Sequence, residues 1–140
     1  MFTLHERLKN DTAEIVSLKL CIVLLMKDSS FPWLILVPKR EGVREIHELS
    51  PDDRITLMEE MTLASMAIEK VYSPDKINIG ALGNLVPQLH IHVIGRFAAD
   101  RAWPGPVWGS GQAVPYGADE LKSAVSALKE IFNQSARSGL

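Results

Sequence analysis

Two histidines and a glutamine alternate with aliphatic residues in Gln88-Leu89-His90-Ile91-His92-Val93-Ile94. Strict polar–apolar alternation with β-branched residues predicts a strand from Gln88 to Val93. Residues two apart on a strand share a face, so Gln88, His90 and His92 are expected on one side and Leu89, Ile91 and Val93 on the other. The loop before it carries Gly80, Gly83, Asn84 and Pro87, which suit tight turns and close approach of backbone to a ligand. Three readings fit. The first is the solvated face of a half-buried strand. The second is a metal site, since His-x-His can supply two ligands. Catalytic zinc usually takes three protein ligands, however, and His5, His47, Cys21 and the acids have no telling spacing. The third is a histidine nucleophile. Much of an imidazole is unprotonated at neutral pH, and a neighbour at i, i+2 can hold its tautomer and stabilise charge on the attacked group.

The elements that must carry this stretch follow from periodicity. Leu18 to Met26 and Trp33 to Val37 are apolar runs around Lys27-Asp28-Ser29-Ser30, the pattern of an antiparallel hairpin. Pro32 fits the start of the second strand and Pro38 its end. Residues 3–14 are polar and read as a short helix or an irregular arm, and residues 39–48 as a charged loop or short strand. Ser50-Pro51-Asp52-Asp53 is a helix start with N-cap, first-turn proline and acids. Leu57, Met61, Ala64, Ile68 and Val71 then give one apolar face. Ile55 and Met58 are expected to widen it, with Met58, Met61 and Met66 in the core. Ser73-Pro74 closes this helix, and Lys76 to Ile79 is a short strand. Residues 98–117 hold three prolines and four glycines, too many for a helix or central strand. Residues 118–134 form a second amphipathic helix on Leu121, Val125, Leu128 and Phe132. Strands with few crossover helices predict an α+β domain, taken as one unit over residues 1–140.

The 140 residues are 46% hydrophobic and 23% charged, with net charge −2, ordinary for a globular protein and without general attraction to nucleic acid or an anionic membrane. A single cysteine, Cys21, rules out an internal disulfide framework. No apolar run reaches membrane-spanning length and the N-terminus lacks a signal-peptide core. A cytoplasmic location is the resulting expectation.

The strand and its loop resemble the signature of the histidine triad (HIT) family of nucleotide hydrolases and transferases, three alternating histidines closed by two apolar residues. Gln88 stands where the first histidine would be. Leu24 to Arg40, LLMKDSSFPWLILVPKR, is similar to the family's nucleotide-pocket hairpin, and the resemblance covers roughly residues 20–108. It implies a HIT-like α+β domain with about five antiparallel strands and two main helices, joined side by side into a homodimer. It implies attack by His90 on the α-phosphate of a nucleotide, a nucleotidyl-histidine intermediate, and His92 on the phosphate and leaving-group oxygens. Asp28 matches an acid that binds ribose hydroxyls. Asn84, and less directly Asn78, would contact substrate, and Gly83 would let backbone N–H groups approach phosphate. Trp103 and Trp108 either cap the core or a dimer contact, or wall the base pocket. Arg96 and Arg101 read as solvated, with distal phosphates as their functional alternative. No metal is required for the nucleophile, although a dinucleoside polyphosphate could arrive with Mg²⁺. Gln88 cannot carry a proton, and the loop offers Leu85-Val86-Pro87 where many members have a serine. The alternative is therefore a nucleotide-binding module with little turnover.

Overall fold

The apolar runs flanking Lys27–Ser30 pair as expected in the computed structural model, which describes residues 1–137. Strands β2 (Cys21–Met26) and β3 (Trp33–Pro38) are antiparallel, with Cys21 opposite Pro38 and Leu25 opposite Leu34. All six residues of β3 are buried, so its apolar run has no polar alternation to show. Strands β4 (Lys76–Gly80) and β5 (Ile91–Arg96) pair with each other, and β5 lies against β3. The first strand, β1 (Thr12–Ser17), lies in part within the segment read as a polar arm. A register shift between Glu14 and Val16 interrupts its pairing with β2, and only Thr12 and Ile15 are buried, which erases the alternation. The order is β1-β2-β3-β5-β4, antiparallel throughout.

Helix α1 (Glu6–Asp11) precedes the sheet. Helix α2 (Pro51–Tyr72) starts as the sequence predicts, with the Ser50 hydroxyl accepting the Asp53 N–H at 3.1 Å. Leu57, Ala64 and Ile68 are buried, and Met61 and Val71 pack beside them. The expected widening is wrong in direction. Ile55, Met58 and Met66 are exposed at 65%, 59% and 52%, and only Met61 of the three methionines packs on the core. The buried arc extends to Glu60 and Ala67 instead. Glu60 is placed there by the N–H groups of Leu20 and Cys21, which donate to its carboxylate at 2.9 and 2.7 Å. Helix α3 (Ala118–Arg137) buries Leu128 and Phe132 and packs near α2 and β1. No described helix is long and apolar enough to cross a membrane.

The sheet thus has two covered faces. Val23, Leu25, Leu34, Leu36, Ile91 and Val93 meet α2 and α3. Leu24, Ile35, Val37 and Ile94 meet Leu8 of α1, Val86, and Val107 of the long loop after β5. Arg96 ends β5 on that second side and is not a solvated residue. It is 1% exposed and donates to Asp100 at 2.8 and 3.0 Å, to Asn78 Oδ1 at 2.7 Å and to the Gly105 carbonyl at 2.8 Å. Its hydrogen bonds to Asp100 hold that carboxyl well below the usual range, despite burial. A buried guanidinium needs such full pairing, and here it ties β4, β5 and the loop together.

Candidate active site

The regular ladder begins at Ile91, three residues later than the alternation predicts. His90 stands just before it and His92 within it, their ring centroids 5.0 Å apart. Both are 7% exposed. Their hydrogen-bond partners assign their tautomers. His90 Nδ1 lies 2.7 Å from the Gln88 carbonyl oxygen. A carbonyl only accepts, so Nδ1 carries the hydrogen and the neutral ring keeps its lone pair on Nε2. His92 is the reverse. The Trp33 indole N–H donates to His92 Nδ1 at 3.0 Å, so His92 carries its hydrogen on Nε2. Burial, and then the neighbouring His90, pull the His92 pKa from 6.5 down to about 4. When the His90 ring is neutral, the pair is a bare nucleophilic nitrogen on His90 beside an N–H donor on His92.

The surroundings of His92 are aromatic. Trp33 lies 5.8 Å away and Trp108 meets it edge-on at 5.4 Å, between ring centroids. Gly80 pairs with His92 across the ladder, and a Cβ there would sit 2.9 Å from the Trp108 ring. The indole lies against this strand only because residue 80 has no side chain. A cavity of about 380 Å³ opens over both histidines, walled by Leu8, Met26, Ile35, Val86 and the two tryptophans, with Arg7, Asp11 and Asn84 also lining it. A second, of about 620 Å³, reaches His90 from the side of Arg44, His47 and Arg54. Gly83 lines both, in the left-handed region at φ +74°, a conformation that favours glycine. An apolar slot of this size suits one small organic group.

Residues 7–99 match the HIT domain family. The chain belongs to the HIT family. It is similar to a histidine triad protein of Marinobacter aquaeolei VT8, at 46% identity and TM-score 0.92, covering 96% of this chain and 98% of that one. A histidine triad protein of Bradyrhizobium japonicum is 46% identical, TM-score 0.90, over 92% and 96% of the two chains. A bis(5'-nucleosyl)-tetraphosphatase (asymmetrical) of Schizosaccharomyces pombe is 32% identical over 74 residues. That match takes in 49% of this chain and 41% of that relative's length.

Within this HIT domain His90, His92, Gly83, Asn84 and Trp108 line one cavity. Other residues singled out in the sequence lie elsewhere. Asp28 is 2% exposed beneath the hairpin turn. It accepts from the N–H groups of Ser30 and Val114 at 3.0 and 3.2 Å and from Arg101 at 3.1 Å. Burial alone would raise its carboxyl, but those N–H groups, the Ser30 side chain and the Arg101 charge together hold it below 3.8. Arg101 is therefore committed to Asp28 and Ser30, and rests over the Phe31 ring. Asn78 is taken up by Arg96, and Trp103, 40% exposed, covers that guanidinium. The Gln88 side chain reaches the N-terminal segment, accepting from His5 N–H and donating to the Thr3 carbonyl. Among the described residues no group of three or more His, Cys, Asp or Glu could hold a metal. Sequence reasoning missed Trp33, Arg7, Leu8 and Asp11. Trp33 carried one signal: its N–H is the one side-chain donor in a fully buried strand and must find an acceptor.

Proposed function

We propose that this protein is a hydrolase or nucleotidyl transferase acting at the α-phosphate of a nucleotide, with His90 Nε2 as nucleophile. The paired tautomers of His90 and His92 carry this reading. In the first step a P–N bond forms to Nε2 and the bond from phosphorus to the leaving oxygen breaks, its electron pair departing with that oxygen. Nδ1–H stays on the Gln88 carbonyl, so the resulting cationic ring is stabilised by the same bond. In the second step water or another acceptor attacks phosphorus, loses its proton to solvent and returns the lone pair to Nε2. His92 Nε2–H donates to a phosphate or leaving-group oxygen. Such fixed donors stabilise charge that develops in the transition state.

The leaving group follows from the same pair. A neutral His92 gives a hydrogen bond but not a whole proton, so the favoured leaving group is one stable without protonation. A phosphate chain meets that requirement and an amine does not, which favours a dinucleoside polyphosphate over a phosphoramidate. The name of the S. pombe relative agrees. The nucleophile uses no metal, and Mg²⁺ enters only as a companion of the polyphosphate. We further propose a homodimer joined through β4 and a cytoplasmic setting, which suits the free, buried Cys21. Because His90 needs only the Gln88 carbonyl, a glutamine there is no sign of a binding module without turnover.

The test is a single-turnover incubation with α-³²P-labelled diadenosine polyphosphate. Acid-labile label on wild type, absent from His90→Gly, is the expected result. Intact binding without label or product in the wild type would establish the binding module instead.

A further inference from the structure

We infer that Gln88 is a positioning residue that fastens the N-terminal segment and α1 against the active site. Its Oε1 accepts the His5 N–H at 2.8 Å, and its Nε2 donates to the Thr3 carbonyl at 2.9 Å. One amide thus clasps main-chain groups on either side of Leu4, as a residue of a parallel strand bonds its neighbour. The main-chain carbonyl of the same residue holds His90 Nδ1. One residue therefore anchors both the nucleophile and the segment that closes the cavity over it.

That segment matters to the site. His5 caps α1 through Nδ1, which accepts the Arg7 N–H at 3.1 Å. Helix α1 then delivers Leu8, 5% exposed, to the cavity wall, with Arg7 and Asp11 beside it. Phe2 and Leu4 pack on the same core. The six residues of α1 are too few to hold a helix by themselves, so the wall depends on contacts of this kind. A primary amide sends acceptor and donor out on one side, whereas the two nitrogens of an imidazole point away from each other. A histidine at 88 would therefore give up the clasp. On this inference Gln88→His harms the enzyme, whereas a glutamine that merely replaces a catalytic histidine predicts improvement.

The test uses the full chain and three readouts: amide hydrogen exchange over residues 2–11, titration with AMP, and steady-state turnover of diadenosine polyphosphate. Only the last two rest on the proposed nucleotide chemistry. His5→Pro removes the N–H that Gln88 accepts, at a φ of −55° that proline adopts. His5→Asn keeps that N–H and a capping side chain. Each lost hydrogen bond corresponds to about two- to tenfold. The expectation is exchange faster by about tenfold in Gln88→His and in His5→Pro, AMP affinity lower by a similar factor, kcat changed less than KM, and His5→Asn near wild type. The double variant should lose less than the sum of the two single losses, because the His5 N–H bond to residue 88 is removed in both, while His5→Pro alone also removes the cap on Arg7 N–H. Faster turnover in Gln88→His with unchanged exchange would overturn the inference, as would additive losses in the double variant. If wild type binds no AMP, the exchange data alone decide the clasp, and the failure falls on the nucleotide reading.

Discussion

The proposed chemistry rests on a single hydrogen bond, from Trp33 to His92, between residues 59 positions apart. A neutral imidazole has two tautomers, and only the one with hydrogen on Nε2 offers a donor to the phosphate. Trp33→Phe keeps a ring in the slot but removes the N–H that enforces that choice. His92 then gains freedom to place its hydrogen on Nδ1, and the phosphate loses its donor. Removing one such donor typically slows catalysis by about 10²–10³. The expected result is a single-turnover rate down by about tenfold or more, since the donor is lost only part of the time, with nucleotide affinity within about twofold. Imidazole ¹⁵N shifts should show one tautomer in wild type and a mixture in the variant. An unchanged rate with mixed tautomers would remove His92 from the transition state.

At the scale of elements, β4 is one of the two edge strands of the sheet, opposite β1. An unprotected edge is a template for another strand, and this one carries an apolar side chain, Ile79, at 46% exposure. The proposed homodimer pairs two such edges into one continuous sheet. Ile79→Asp places like charges across that seam. Sedimentation equilibrium should give twice the 15.5 kDa chain mass for wild type and a monomer for the variant; a wild-type monomer at micromolar concentration would defeat the proposal. The two long helices were readable from sequence because each buries a single stripe, and periodicity reports a stripe; the central strands, buried on both faces, were readable as short apolar runs bounded by turn residues. Strand β1 was not, because its bulge breaks the period within six residues. The buried arc of α2 was misjudged because Glu60 is drawn inward by two amides 39 and 40 residues away, a tertiary pairing that outweighs the hydrophobicity of Met58 and Ile55. The two histidines of the cavity were visible because His-x-His is local. The uses of Gln88 and Trp33 were hidden because their partners are distant in sequence.

For the whole molecule, the buried ionisable groups set how stability depends on acid. His92 has a folded pKa of about 4 against 6.5 when free. Between those values the unfolded chain binds a proton that the folded chain refuses, so stability rises with pH across that window and falls on acidification. The lost stability is on the order of 3 kcal/mol by pH 4, a large share of the roughly 5–15 kcal/mol of a typical domain. Asp28 behaves differently. Its carboxyl lies below 3.8 in the folded state, so its contribution is intact above that value and is lost only as pH falls further. Acid unfolding should therefore come in two stages. Urea midpoints for wild type should drop between pH 7 and pH 4.5, and drop again below pH 4. His92→Gln has no ring to titrate, so its midpoint should change little in the upper window while the lower stage remains. A variant that kept the wild-type decline between pH 7 and pH 4.5 would show that another group carries the acid sensitivity and that His92 is not held neutral by the fold.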